Sequence, residues 1–225
     1  MDRKEGMHMK LTEILDQMHL DAMLITNPYN MRYVSHFRGG EGILLISRKS
    51  RVLITDSRYT EAAKQESDFQ VEECNHLRKT TDILNDWIER EQLLTVGYED
   101  ESMLCSTFRG YQTGLPAIRE WIPLGAAVTR LRQIKTPEEI GYLRQAEAIG
   151  DAAFTKILDI IKPGMTELEI QAELEYQMMK CGASGTSFDT IVASGIHSSM
   201  PHAIPSEKKV ESGDFITMDF GCKYK

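Results

Sequence analysis

The sequence predicts an α/β domain of about 130 residues, followed by two helices and the beginning of a mixed sheet. Three observations predict this organisation. Apolar runs of strand length alternate with helix-periodic segments as far as Pro123. A helix start at residues 136–139 then combines a capping Thr, a proline in the first turn and a Glu three residues after the cap. Finally, two strand-like runs lie at residues 188–194 and 214–220.

The first domain opens with a helix at residues 11–18 and a buried strand at residues 22–26, which ends in the Asn27-Pro28 turn. A later helix is expected to begin near residues 56–59, with Asp56 or Ser57 capping its free amides. The other predicted strands are residues 42–46, 51–55, 69–74, 96–98 and 120–123, and the other predicted helices are residues 81–91 and 103–111. We interpret His36, Arg38 and Arg58 as structural or surface residues.

The domain boundary is placed between residues 131 and 132, so the domains are 1–131 and 132–225. A long apolar stripe follows the boundary and is ended by Lys162-Pro163-Gly164. A second capping box at residues 166–169 opens a helix that ends by Gly182. The apolar positions assigned to the stripe are Ile140, Leu143, Ala146, Ala153, Phe154, Ile157, Leu158 and Ile161.

Composition limits the classes of function. The chain has 225 residues, 41% of them hydrophobic, and a net charge of −8, which argues against a nucleic-acid or anionic-membrane surface. Its four cysteines are widely spaced without a Cys-x-x-Cys pair, as expected for thiols in a reducing cytoplasm. The first ten residues lack the apolar core of a signal peptide, and no run reaches transmembrane length. With Met7 or Met9 as an alternative start, the preceding residues are expected to be a disordered extension.

The most informative residues lie in the last two predicted strands and the loop between them. In residues 214–220, alternation puts Ile216, Met218 and Phe220 on one face and Phe215, Thr217 and Asp219 on the other. A buried carboxylate at position 219 would need a cation, donors or a metal ion as its partner. An isolated Asp at a strand end more often bonds a turn, and a loop histidine such as His202 more often bonds a carbonyl. The prolines on either side of His202 restrict its backbone, which suits a side chain held in one place.

Three motifs in this order resemble the Xaa-Pro peptidases, the aminopeptidase P and prolidase group of pita-bread metallopeptidases. They are residues 187–195 (SFDTIVASG), 201–205 (PHAIP) and 213–221 (GDFITMDFG). The segments at residues 32–33 and 56–59 resemble the amino-terminal domain of the same enzymes more loosely. The resemblance implies a creatinase-like α/β amino-terminal domain with a mixed sheet, followed by the incomplete start of an α+β pita-bread catalytic domain.

The resemblance also implies site residues and a reaction. Asp219 corresponds to the first ligand of a two-metal site, and His202 to an active-site histidine that steadies the reacting substrate. His197 occupies a loop position where family members often carry Asn, and is a candidate substrate-binding residue. The implied activity is hydrolysis of the bond between an amino-terminal residue and proline by two divalent ions, manganese or cobalt, in a homodimer that binds proline-containing peptides.

The family's second Asp, its ligand His and its two ligand Glu residues have no counterpart before Lys225. One carboxylate cannot hold two divalent ions. We therefore expect either a fragment of a longer enzyme or a chain that cannot perform the chemistry unaided, and that binds no metal tightly. Two alternatives stay open, a non-catalytic peptide-binding or dimerisation module of the same fold and a creatinase-type hydrolase. The unfinished sheet is expected to leave an apolar face uncovered.

Overall fold

A computed structural model describes the backbone of residues 3–225 and the side chains of residues 6–225. The chain divides into two compact units, unit 1 up to Ile134 and unit 2 from Lys135 to Lys225. The division lies three residues after the boundary expected from the sequence. Among the described residues, no helix combines the length and the apolar character needed to cross a membrane.

Unit 1 is built on a six-stranded mixed sheet with the strand order β4-β3-β2-β1-β5-β6. Strands β1, β2 and β3 are antiparallel neighbours, whereas β4 pairs with β3, β5 with β1 and β6 with β5 in parallel. The predicted mixed α/β sheet is therefore confirmed. Its elements are α1 (Arg3–Gln17), β1 (Ala22–Ile25), α2 (Pro28–Ser35), β2 (Ile43–Ser47), β3 (Arg51–Asp56), α3 (Thr60–Glu66), β4 (Gln70–Cys74), α4 (Thr80–Glu91), β5 (Thr95–Tyr98), α5 (Cys105–Gly114), β6 (Glu120–Pro123) and α6 (Ala127–Arg130).

The two faces of this sheet carry separate apolar cores. In β1, Met23 and Ile25 pack into the core that α1 covers, whereas Ala22 and Leu24 face the core covered by α4. All four residues of β1 are buried. A strand buried on both faces is apolar at every position, which is why its sequence shows no alternation.

Three sequence expectations for unit 1 were wrong. Asn27 does not form a simple turn but caps α2, accepting from the amides of Tyr29 and Asn30, and Pro28 is the first residue of that helix. Helix α3 has no side-chain cap, because the Asp56 carboxylate instead accepts from the Arg58 amide and guanidinium. Residues 3–8, which precede the alternative starts, belong to α1 rather than to a disordered extension, and residues 1 and 2 lie outside the described residues.

The interpreted surface residues of unit 1 lie at helix ends or in ion pairs. His36 ends α2 with a left-handed backbone, at a φ of 64°. Arg38 pairs with Glu66 at 2.6 Å, and Arg58 pairs with Asp56 at 2.7 Å and Glu41 at 2.6 Å. These arginines are exposed, so each pair contributes little to stability.

A buried carboxylate fixes the start of α2. Glu99 is 3% exposed, and one of its oxygens accepts from the backbone amides of Thr26 and Asn27 at 2.6 Å each. Its other oxygen accepts from the Asn30 side chain at 2.7 Å. Since Glu99 follows β5 and Thr26 follows β1, this carboxylate ties two neighbouring strand ends to the helix.

Unit 2 consists of two helices and two small antiparallel sheets. Strand β8 pairs with β9, and β7 pairs with β10. Both predicted capping boxes are present, because Thr136 and Glu139 cap α7, and Thr166 and Glu169 cap α8. The elements are α7 (Pro137–Ile160), α8 (Glu167–Lys180), β7 (Gly185–Thr186), β8 (Ile191–Ser194), the 3-10 helix η1 (Gly195–Ser199), β9 (Ile216–Asp219) and β10 (Cys222–Lys223).

The apolar stripe of α7 is narrower than predicted. The helix buries Ile149, Ala153 and Ile157, which recur every four residues and pack with Leu174 of α8 in the unit 2 core. Leu158, which was assigned to the stripe, is 55% exposed. Sequence periodicity overestimated the width of the buried face because several neighbouring positions are also apolar.

Candidate active site

The candidate site begins on the strand pair β8 and β9. Ile191 lies opposite Asp219 and Ala193 opposite Thr217 in this antiparallel pair. The predicted faces are confirmed, since Ile216 and Met218 pack against the unit 2 core. Asp219 and Thr217 are exposed on the other face. Phe215 on that face is 85% exposed, so the strand carries an uncovered apolar side chain beside the candidate ligand.

Asp219 is exposed, so the expectation of a buried carboxylate was wrong. Among the side chains that the structure describes, those of residues 6–225, none forms a hydrogen bond or ion pair with its carboxylate, which leaves its oxygens accessible to a cation. Gly221, two residues after Asp219, allows Ser187 to approach its backbone closely. A Cβ at this position would lie 2.5 Å from the Ser187 hydroxyl, and the Ser187 amide donates to the Gly221 carbonyl at 2.9 Å.

The described residues fit one ligand position of a divalent metal site and do not fit a complete site. No group of three His, Cys, Asp or Glu side chains in the described part of the chain is arranged to hold a metal ion. Hard divalent ions take several oxygen or imidazole ligands, and Asp219 offers one carboxylate.

Helix η1 lies beside the exposed face of β9 and carries His197. The Thr217 hydroxyl is 3.5 Å from the Ser198 carbonyl, and the Gly195 amide donates to the Phe215 carbonyl at 2.9 Å. Thr217 and Asp219 are two residues apart on one strand face, about 7 Å along the strand. The loop with His197 therefore starts on the same face as Asp219.

His202 lies farther along the same loop and is exposed. The Ala203 amide donates to the Met200 carbonyl at 3.2 Å, which places His202 in a tight turn. Ala203 is 6% exposed and anchors this turn to the unit. Residues 200–215 contain no helix and no strand; turns, an isolated β-bridge between Lys209 and Thr166 and the buried Val210 hold this part of the chain in place.

Glu167, the first residue of α8, holds both ends of the loop. This side chain is fully buried. Its Oε1 accepts from the Ser194 amide at 2.7 Å and the Ser194 hydroxyl at 3.0 Å, just before the loop. Its Oε2 accepts from the Ser206 hydroxyl at 2.7 Å and the Ser206 amide at 3.1 Å, just after His202 and Pro205. Nδ1 of His197 is 3.2 Å from both carboxylate oxygens.

These donors keep Glu167 ionised. Burial disfavours the charged form, but the hydrogen bonds from Ser194, Ser206 and His197 outweigh it and lower the pKa of Glu167 to about 2. An ionised carboxylate can only accept, so Nδ1 of His197 must carry the proton. The Nε2 of that ring consequently points away from Glu167.

Lys208 and Asp214 complete the base of the loop. The Lys208 ammonium donates to the Ser194 hydroxyl at 2.9 Å and to the Asp214 carboxylate at 3.2 Å. The amide of Glu211 and this ammonium lower the pKa of Asp214. Gly195 has a φ of 53°, and a Cβ there would lie 2.7 Å from an Asp214 oxygen, so the start of the loop favours glycine.

The structure thus brings His197 close to Glu167, a residue that the sequence reasoning missed. The sequence showed a capping box at residues 166–169, but this motif depends on Thr166 and Glu169 alone and does not single out Glu167. Glu167 looks like any acidic residue in the first turn of a helix.

Comparison with known proteins decides the family. The sequence profile described as Creatinase/Prolidase N-terminal domain matches residues 8–134, more than half of the chain. The chain belongs to the creatinase/prolidase family. The profile of metallopeptidase family M24 matches residues 141–225 of this creatinase/prolidase chain, so the expected family and both parts of its fold are confirmed.

Similar proteins agree with this family assignment. An uncharacterised peptidase of Bacillus subtilis is 42% identical over 96% of this chain and 61% of its own length. A solved Xaa-Pro dipeptidase from Bacillus anthracis is 38% identical with a TM-score of 0.91, covering 99% of this chain and 62% of that one. The structure of an X-Pro aminopeptidase from Thermotoga maritima is 40% identical with a TM-score of 0.86, covering 94% of this chain and 61% of that one. The creatinase/prolidase chain therefore spans about three fifths of the length of these relatives.

Proposed function

We propose that this chain serves an Xaa-Pro metallopeptidase, an exopeptidase that hydrolyses the bond between an amino-terminal residue and proline. The observation that carries the proposal is the combined match of both units to solved Xaa-Pro peptidases. The B. anthracis relative is a dipeptidase and the T. maritima relative an aminopeptidase, so the proposal covers both substrate lengths.

In this proposal Asp219 is one ligand of a divalent metal pair, of manganese or cobalt. A carboxylate suits a hard ion of the manganese type, and the exposed Asp219 oxygens have no competing partner among the described residues. When bound, such a metal pair supplies a nucleophilic water at neutral pH.

His202 and His197 act from the loop beside the ligand. His202, exposed in its turn, donates a hydrogen bond to the oxygen that gains charge when the peptide carbonyl is attacked. His197 presents Nε2 to the peptide substrate from the start of the loop. The active protein is proposed to be a cytoplasmic homodimer. The four cysteines of the chain are free thiols, which supports this location.

The full gene product, supplied with Mn(II), provides the test of this function on Xaa-Pro dipeptides and longer Xaa-Pro peptides. Asp219→Ala should lower kcat/KM by at least ~100-fold, because removal of a metal ligand removes the transition-state stabilisation that the metal gives. Asp159→Ala, which changes an exposed aspartate of α7, is the matched control and should keep normal activity. An unimpaired Asp219→Ala enzyme would remove Asp219 from the metal site.

A second candidate function is a peptide-binding or dimerisation module without catalysis. The observation that favours it is the lack of a metal-holding cluster in the described residues. For the 225-residue chain, we expect negligible turnover and weak binding of Mn(II) in a calorimetric titration. Tight binding of two metal ions per chain would contradict that expectation.

A further inference from the structure

We propose that Glu167 is a positioning residue that holds closed the base of the loop of residues 195–205 and sets the tautomer of His197. This inference deepens the proposed function, since this loop carries both candidate histidines, His197 and His202. Glu167 itself is buried beneath the loop and touches neither the candidate metal ligand nor the solvent.

Each oxygen of the Glu167 carboxylate binds a different end of the loop. Oε1 binds Ser194 before the loop, and Oε2 binds Ser206 after it, so one rigid group joins residues that are twelve positions apart. Both serines donate through their backbone amide and their hydroxyl. The loop ends are therefore fixed in position and in orientation, which a single hydrogen bond would not achieve.

Glu167 is not needed to cap its own helix. Thr166 and Glu169 already form the reciprocal capping box at the start of α8. A fully buried carboxylate is costly, and an apolar residue of similar size is often at least as good for stability. All the hydrogen bonds that Glu167 accepts come instead from the loop base and from His197.

The second role of the carboxylate is to set the tautomer of His197 through their direct contact. Because the ionised Glu167 accepts only, it selects the imidazole form with the proton on Nδ1. Free histidine favours the proton on the other nitrogen, so the contact reverses the ring's preference. Nε2 is then left as an acceptor on a side chain that is 32% exposed, so a peptide amine or amide can donate to it.

The variant Glu167→Gln tests both roles, the holding of the loop ends and the setting of the His197 tautomer, in the 225-residue chain. Glu207→Gln is the matched control. Glu207 is an exposed glutamate of the same loop region, one residue after Ser206, and it accepts no hydrogen bond among the described residues. In Glu167→Gln the new amide group faces a backbone N–H, so one loop end loses its acceptor.

Two measurements need no peptide and no metal. Hydrogen exchange of the amides of residues 195–205 should become ~10-fold faster or more in Glu167→Gln and stay unchanged in Glu207→Gln. Nitrogen-15 spectra of the histidines, recorded where the rings are neutral, should show His197 with the proton on Nδ1 in the wild type and on Nε2 in Glu167→Gln. Unchanged loop exchange, or a wild-type His197 with the proton on Nε2, overturns the proposal.

Ser206→Ala keeps the test decisive should Glu167→Gln fail to fold. This variant removes one hydroxyl donor, so exchange should rise near residues 203–206 and not near residues 195–197. An equal rise in amide exchange at both ends of the loop would contradict the proposal that each carboxylate oxygen holds one end.

Activity of the full gene product distinguishes this proposal from the proposed function. Glu167→Gln should lower kcat by ~10-fold or more with a smaller change in KM, as expected for a residue that positions reacting groups. A changed loop in a protein that hydrolyses no Xaa-Pro peptide supports the positioning role and refutes the function. Normal kcat despite a loosened loop refutes the positioning role.

Discussion

Glu167 should make the folding of unit 2 sensitive to acid. Its pKa is lowered from an ordinary 4.5 to about 2, which corresponds to about 3 kcal/mol of stabilisation above pH 5. The neighbouring His197 side chain is 32% exposed and admits solvent, so a value nearer 2 kcal/mol is expected. Glu167→Gln, which cannot ionise, should lose this amount at pH 7.

The sign follows from the lowered pKa. Stabilisation by a carboxylate of this kind is complete above pH 5 and is lost as the pH falls through the native pKa near 2. More than half should be lost by pH 3, so the difference between wild type and Glu167→Gln should shrink to about 1 kcal/mol there. The other ionisable groups at the loop base, His197, Lys208 and Asp214, are present in both proteins.

Urea unfolding at pH 7, 5 and 3 measures this difference. Both tryptophans, Trp87 and Trp121, lie in unit 1, so their fluorescence follows that unit. Methyl resonances of Ile157 and Leu174 follow the core of unit 2. A difference between wild type and Glu167→Gln that is the same at pH 7 and pH 3 would show that ionisation of Glu167 does not stabilise the fold.

Two further substitutions of buried side chains, each paired with a substitution at an exposed position as its control, test the interior of the two units. Glu99→Ala leaves two backbone amides and the Asn30 side chain without their acceptor, so unit 1 should lose about 3–5 kcal/mol in tryptophan-monitored unfolding. The exposed Glu101→Ala should change stability by less than about 0.5 kcal/mol, and equal losses in both would refute the role of Glu99. Leu174→Ala removes a fully buried side chain and should cost unit 2 about 2–5 kcal/mol. Leu158→Ala, on the exposed side of α7, should cost less than about 1 kcal/mol, and the reverse order would contradict the observed packing.

Local signals in the sequence predicted most of the fold. The capping boxes of α7 and α8 involve residues three positions apart, and the two faces of β9 follow from alternation alone. Helix α2 was missed because Asn27-Pro28 is typical both of a turn and of a capped helix start. Local sequence cannot separate these two outcomes, since the acceptor that helps to fix the helix start is Glu99, far along the chain.

The site was less predictable, because its contacts are distant in sequence. Glu167 lies 27 residues from Ser194 and 39 from Ser206, and no local pattern reports such pairings. The sequence did single out His197, His202 and Asp219, whose roles stay predictions. The exposure of Asp219 removes the argument from burial, so the family assignment depends on the matches across both units.

The anchoring of Ser194 and Ser206 to one side chain has a practical consequence for protein engineering. The entropy needed to close a loop grows only slowly with its length. A foreign segment of different length, grafted between these two serines, would therefore inherit a ready-made attachment at each end. Exchange of this segment would replace η1 and the two histidines of the loop while keeping α7, α8 and the strands of unit 2, and would therefore alter the part of the chain that the proposed function assigns to the peptide substrate.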